Sequence, residues 1–283
     1  MRHSRPFLCS GVCRILIEAI QLGGITTGGN MDIAVLIKYV PDSTAKITVS
    51  GDRVNEGGVS KWSISPFDEY ALEAALGMKE SSGASVTAIT CGPSRSEKGL
   101  RDAAAVGADS LVHVSVDDLT SLDSTKTQAL LAAAVQSTGA SIVFCGKQAA
   151  DTNAGSTGPG VAELMGAACV TGVTEVGTEG PGLSALRATS GGAERVTLSA
   201  PCVLTFDKTE TELRRPNVKG IMMAKKKAID SQDAASLGID ESGSTANIAS
   251  HSPPAEKAPG QMFEGASTVD DVVQKLRNEA KVL

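Results

Sequence analysis

The sequence predicts an α/β protein: a three-layer arrangement in which helices cover both faces of a parallel sheet, with a small antiparallel hairpin and an extended carboxyl-terminal arm. Three observations carry this prediction. From Asp32 to Cys145, short apolar runs alternate with capped, helix-patterned segments, the signature of strand–helix–strand units with right-handed crossovers. The 283 residues are 41% hydrophobic but only 3% aromatic, so the core has to be built from small aliphatic groups that let helices lie close on a sheet. Beyond Lys227 the composition turns to Ser, Ala, Gly, Pro and Asp, which leaves that stretch little core of its own. The expected organisation is therefore an amino-terminal extension over 1–30, an α/β domain over 31–228, and an arm with a terminal helix over 229–283.

Taken in order, the elements have local causes. Asp32 to Val40 is a nearly unbroken apolar run, as a strand buried on both faces requires. A helix opens at Ser65-Pro66-Phe67-Asp68-Glu69, where Ser is placed to cap, Pro sits where its missing N–H costs nothing, and acids face the positive helix end. Ser85 to Cys91 reads as the second strand, and Ser94-Arg95-Ser96-Glu97 is a capping-box pattern opening a helix through Ala105. Leu111 to Val116 is a third strand, Ser124 to Ser137 a helix, and Ser141 to Cys145 a fourth strand. A helix from about Pro159 to Met165 and a strand near Cys169 to Val176 follow. Leu183 to Thr189 and Arg195 to Leu198 flank Ser190-Gly191-Gly192 as a β-hairpin, and Pro201 to Phe206 is a further strand. In the last segment Val269, Val272, Val273, Leu276 and Ala280 share one helical face, which needs a docking surface on this chain or on a partner.

Several function classes drop out. A net charge of −6 gives no general basic field for nucleic acid. No stretch reaches the roughly 18 apolar residues of a membrane span, since Arg14, Glu18 and Gln21 interrupt Cys13 to Ile25. The six cysteines are scattered within apolar runs, which suits reduced thiols of a reducing compartment. The phosphate-loop, dinucleotide Gly-x-Gly and nucleophile-elbow motifs are all missing, and His3, His113 and His251 are not grouped with metal or triad partners.

One segment carries chemistry: Gly146-Lys147-Gln148-Ala149-Ala150-Asp151-Thr152-Asn153-Ala154-Gly155-Ser156-Thr157, followed by Gly158-Pro159-Gly160. It leaves the carboxyl end of a parallel strand and enters a helix, where open α/β sheets place ligand crevices. Gly155 and Gly158 let the backbone approach an anion, Ser156 and Thr157 add hydroxyls, and the helix start offers free N–H groups. The plainer alternative is a Gly-rich connection with an ordinary cap. Cys91-Gly92-Pro93 also follows a strand and borders the same edge, with Cys91 readable as a small buried residue. Lys225-Lys226-Lys227 reads first as a solvated charge run.

From Met31 to the carboxyl terminus the chain resembles the electron transfer flavoprotein beta subunit. The resemblance rests on Val35 to Val40, Ser65 to Glu73, Cys91-Gly92-Pro93, Gly146-Lys147-Gln148-Ala149 with Asp151, and Ile221-Met222-Met223-Ala224-Lys225-Lys226-Lys227. It implies an adenine nucleotide alpha hydrolase-like fold and a heterodimer with an alpha subunit that holds most of the FAD. It also implies a structural AMP at Leu36, Ser65, Pro66, Phe67, Asp68, Cys91 and Gly146 to Thr157, with Phe67 near the flavin. No residue of this chain then acts as a general acid or base.

Glu212 to Gly220 resembles the family's recognition loop, so Arg214, Arg215 and Val218 are expected to dock flavin dehydrogenases such as acyl-CoA dehydrogenases; Val218 stands where Leu is usual. Electrons would continue to a membrane quinone oxidoreductase or another acceptor, as in fatty acid oxidation. The chain departs from the family in losing an amide side chain at Ser156. Gly158-Pro159 and Lys219-Gly220 look more like the bifurcating branch, in which a second FAD replaces AMP and NADH donates electrons. A stand-alone adenine-nucleotide sensor is the third possibility, and the long arm argues against it. The expected location is a bacterial cytoplasm, or the mitochondrial matrix if 1–30 is a transit peptide.

Overall fold

The computed structural model describes residues 31–180, 182–240, 244–257 and 259–283; the extension expected over 1–30 lies outside the described residues. The apolar run at the start breaks in two. β1 is Asp32–Leu36, and the chain turns at Ile37 and Lys38 into β2, Tyr39–Pro41. A two-residue hairpin follows, β3 Val49–Ser50 and β4 Arg53–Val54, and β5, Trp62–Ile64, returns to pair antiparallel with β2.

α1, Pro66–Ser82, ends on Gly83 in the left-handed region at φ 76°, where a residue without Cβ avoids the steric penalty. Next come β6, Ser85–Gly92, α2, Glu97–Val106, and β7, Ser110–Ser115. Residues 94–96 form a 3-10 turn before α2 with no side-chain cap bond, so the capping box read from Ser94 and Glu97 is not made. α3, Ser124–Thr138, is capped by Asp123, whose carboxylate accepts the Lys126 N–H at 2.9 Å. Then follow β8, Ile142–Gly146, α4, Thr157–Met165, β9, Ala168–Glu179, β10, Gly182–Thr189, β11, Gly192–Leu198, and β12, Cys202–Phe206. The last elements are α5, Val218–Lys226, β13, Asp230–Gln232, and α6, Val269–Asn278.

Nine strands form the main sheet in the order β11-β10-β9-β12-β8-β1-β6-β7-β13. All neighbours from β9 to β13 are parallel, and β10 alone runs the other way, pairing antiparallel with β9 and with β11; its pair with β11 is the hairpin expected around Ser190-Gly191-Gly192. One apolar layer gathers α1 and α2 residues such as Leu72, Leu76 and Leu100 against Ile33, Val35 and Phe144. The opposite layer gathers Leu130, Val135 and Val161 of α3 and α4 against Leu36, Val112 and Val143. Helices thus cover both faces, and alternate strand residues supply the two layers. The segment after residue 229 adds β13 to the sheet beside β7, and Ala234 is buried in the second layer.

The chain divides into two compact units. The first comprises residues up to Thr44 and Lys61–Asn247 and contains the sheet. The second joins Ala45–Ser60 to Ile248–Leu283, tied by Arg53 donating to the Ile248 carbonyl at 2.7 Å and by the His251 N–H donating to the Asp52 carbonyl at 2.9 Å. Its helix α6 exposes Val269, Val273 and Leu276. Among the described residues no helix is long and apolar enough to cross a membrane, and no His, Cys, Asp or Glu cluster has metal-site geometry.

Candidate functional site

The strand order reverses at β1. From β1 the chain builds outward through β6 and β7, then returns to add β8 on the other side of β1. Such a switch point leaves a crevice at the carboxyl ends of the central strands, because the connections depart in opposite directions. Leu36, Cys91 and Cys145 end β1, β6 and β8 on the same side of the sheet, and all three are buried. They make an apolar floor. Burial pushes the Cys145 thiol well above its ordinary pKa, which marks it as packing rather than nucleophile.

Over this floor, the start of α1 holds the loop that leaves β8. Ser65 occupies the cap position of α1 but does not cap it; its fully buried hydroxyl instead accepts the Ala150 N–H at 3.2 Å. Asp68, read from the sequence as an acid at the positive end of α1, turns inward, where Oδ1 accepts the Gly146 N–H and Oδ2 the Lys38 N–H, each at 2.8 Å. The carboxyl lies 6% exposed, and burial, resisted by those two N–H groups, raises its pKa to about 7. Gly146 is where the clasp closes: a Cβ there would sit 2.5 Å from Asp68 Oδ1 and 2.7 Å from Phe67 Cβ. Pro66 is exposed and Phe67 half-buried, with the Lys147 ammonium 4.8 Å from the Phe67 ring centroid.

The loop is then tethered from both sides. Lys147 pairs with Asp207 at 2.8 Å, and Lys38 pairs with Asp151 at 2.7 Å. For Asp207 burial is the largest single influence and pushes the carboxyl up, but the Lys147 hydrogen bond, the Lys208 N–H and the Lys147 charge together outweigh it and the net shift is downward. Gln148 donates to Asn153 at 3.0 Å, and the Asn153 N–H donates to the Ala149 carbonyl at 2.8 Å, closing a turn with Asn153 at φ 52°. Ala150 to Gly155, with Thr152 and Ala154 between, are exposed; Gly155 takes φ 67°, which lets the chain enter α4. Ser156 caps α4 through its backbone only, and the N–H groups of Thr157 and Gly158 lie in the first turn, where a helix supplies no acceptor. A positive helix end and an exposed loop above an apolar floor are chemistry suited to an anion.

A profile described as electron transfer flavoprotein domain matches residues 58–237. Electron transfer flavoprotein subunit beta of Bacillus subtilis is 31% identical over 258 residues, covering 89% of this chain and 100% of the relative. The mitochondrial electron transfer flavoprotein subunit beta of Oryza sativa subsp. japonica is 36% identical over 258 residues, with 89% and 100% covered. The human electron transfer flavoprotein subunit beta is 33% identical over 255 residues, with 88% and 98% covered. The chain belongs to the electron transfer flavoprotein beta-subunit family. The positions that the family resemblance assigns to nucleotide binding in this electron transfer flavoprotein subunit gather at the switch point.

The three residues expected to dock partners lie apart from the crevice, around the start of α5. Arg214 faces inward: Nε and Nη2 donate to Glu73 of α1 at 2.7–2.9 Å, its N–H donates to the same carboxylate at 3.0 Å, and Nη1 reaches Glu80 at 2.7 Å. Arg215 and Val218 are exposed, and Val218 is 76% exposed beside Met222 and Met223. Lys227, in the run read as solvated, donates to the Ala108 carbonyl at 2.6 Å, and Arg101 binds the carbonyls of Ala224 and Lys227. Sequence reasoning gave no part to Lys38, Asp207 or Gln128, whose roles depend on strands and helices distant in sequence. The one local sign at Lys38 was its charge, set between Ile37 and Tyr39 in an otherwise apolar run.

Proposed function

We propose that this chain binds an adenine nucleotide through its phosphate at the β8–α4 loop and serves as the non-catalytic half of an electron-transferring heterodimer. The observation that carries the reading is the clasp from Ser65 and Asp68 to Ala150 and Gly146, which fixes the loop at the sheet's switch point, where it enters α4 at the exposed Thr157. Such a loop is preorganised, so little ordering cost is left when an anion binds. AMP is the nucleotide proposed, with Leu36, Cys91 and Cys145 under the base.

The partner is an alpha subunit that holds the FAD, and flavin dehydrogenases dock transiently at Val218. A bound flavin supplies the redox chemistry. This chain's own residues orient: Phe67, backed by the Lys147 ammonium, presents a ring at the crevice mouth, and the exposed stripe of α6 offers a face for the partner. The scattered titratable groups of the crevice are engaged in holding the loop rather than in moving protons. The reading places the protein in a bacterial cytoplasm, or in the mitochondrial matrix if residues 1–30 act as a transit peptide.

A second reading, the bifurcating one with a second FAD in place of AMP, is favoured by Gly158-Pro159 in the first turn of α4 and Lys219-Gly220 in the first turn of α5. Co-purification with the alpha subunit, followed by release and identification of bound nucleotides, tests both. FAD with AMP supports the first reading and FAD alone in doubled amount the second. A lone monomer free of adenylate overturns both.

A further inference from the structure

Resting on the nucleotide-binding reading, we infer that Gln128 of α3 is a positioning residue for the phosphate end of the site. It takes part from outside the loop. The family's amide at position 156 is replaced here by Ser, whose side chain makes no cap bond. An amide reaches the same place from the neighbouring helix: Gln128 Nε2 donates to the Ser156 carbonyl at 3.1 Å.

Room for that amide exists because residue 160 is Gly. A Cβ there would lie 2.1 Å from Gln128 Cδ and 2.2 Å from Oε1, so the carboxamide rests directly on the Gly160 backbone. The Gly160 N–H donates to the same Ser156 carbonyl at 2.9 Å. Two donors therefore hold one oxygen. The Ser156 carbonyl and the Thr157 N–H are opposite ends of one rigid peptide plane. Fixing the carbonyl toward α3 and the helix body aims the Thr157 N–H out of the amino-terminal end of α4. Pro159 contributes no N–H to that turn and Gly158 is buried, so Thr157 is the exposed N–H-bearing residue of the turn, and loss of aim at its N–H falls on the bound phosphate.

The pair also makes a distinctive genetic prediction. Gly160→Ala expels the Gln128 carboxamide, so it acts through the same bond that Gln128→Met deletes. Met keeps the length of the side chain and removes the donor.

The experiment uses the full chain assembled with its alpha subunit and freed of nucleotide, titrated calorimetrically with AMP and, as a comparator without phosphate, adenosine. Gln128→Met and Gly160→Ala are each expected to lower AMP affinity about three- to tenfold, the effect of one hydrogen bond of ordinary strength. Adenosine affinity stays unchanged, and the double variant binds AMP no more weakly than the weaker single. Wild-type binding of AMP with full affinity retained in Gln128→Met overturns the positioning role alone. Equal losses for AMP and adenosine also overturn it, because a general loosening of α3 against α4 spares neither. Failure of the wild type to bind AMP overturns the nucleotide reading and this inference with it.

Discussion

Asp68 Oδ1 accepts the Gly146 N–H at 2.8 Å across 78 positions of sequence, joining the first turn of α1 to the end of β8. With the Lys38 N–H on its other oxygen, this carboxyl bonds to backbone at the ends of both strands flanking the switch point. Asp68→Asn keeps the volume but sets an amide N–H₂ against one of two N–H donors. One buried donor is then left unsatisfied, at a cost of about 1–3 kcal/mol. Urea unfolding of the nucleotide-free protein is expected to show that loss, and AMP affinity falls with it because the loop is no longer held.

The same carboxyl gives the fold a pH dependence with a definite sign. Its pKa is about 7 in the folded protein, and burial is the cause; the unfolded chain ionises it at about 3.9. Between these values the folded state holds the proton and the unfolded state does not. The contribution to stability is therefore full below about pH 4, declines as pH rises toward 7, and is lost above it. Urea midpoints at pH 5 and pH 8 are expected to differ more in the wild type than in Asp68→Asn. Equal differences would remove Asp68 as the source.

Gly146 has to be Gly for a reason of contact, not of backbone angle. Gly146→Ala drives a methyl into Asp68 Oδ1 and Phe67 Cβ, at hypothetical separations of 2.5 and 2.7 Å. Overpacking of this kind costs about 1–3 kcal/mol. Gly177→Ala, in β9 with nothing within 4 Å of the added carbon, is the control and is expected to stay within about 0.5 kcal/mol.

How much of this was legible in the sequence depends on the distance over which each feature is made. The central parallel strands, the hairpin and the loop from Gly146 to Thr157 announce themselves locally, through apolar runs, Gly and Ser breakers and a helix start. Ser65 was legible as a helix boundary but not in its role, because Pro66 and the chain geometry suffice to start α1 and free the hydroxyl for Ala150. β13 was hidden in a polar stretch: its three residues gain strand conformation only by pairing with β7. The second unit joins 45–60 to 248–283, and although α6 shows helical periodicity, nothing in either segment signals their pairing. Gln128 and Gly160 belong to different helices, and only the fold places one upon the other.

Arg214 and Glu73 form a partly buried, forked pair, with 29% and 13% of their side chains exposed. It fixes the loop before α5 against α1. A double-mutant cycle with Arg214→Ala and Glu73→Ala is expected to give a coupling of about 1 kcal/mol, above the 0.3–0.5 kcal/mol typical of an exposed helical pair such as Lys275 and Glu279. Arg214→Lys does not rescue it, since an ammonium lacks the planar fork. AMP affinity stays as in the wild type, because the loop lies away from the crevice.

The last prediction concerns Val218, which opens α5 with 76% of its surface exposed, beside Met222 and Met223 at 61% and 62%. Solvent-facing apolar groups of this size gathered on one short helix are costly to leave uncovered, and a partner that covers them gains the buried area. The helix is held for such a contact: Asn217 accepts the Gly220 N–H at 2.7 Å, and Gly220 packs so closely on α2 that a Cβ would lie 2.3 Å from the Ala105 carbonyl oxygen. Val218→Leu adds one methylene and is expected to tighten docking of a flavin dehydrogenase by about 0.8 kcal/mol, roughly fourfold, while Val218→Asp abolishes it. Dehydrogenase-dependent reduction of the assembled flavoprotein, followed as a function of its concentration, reads both. Neither substitution changes the folded state, because the side chain touches solvent in the free chain. Unaltered concentration dependence in Val218→Asp would move the docking surface elsewhere on the molecule.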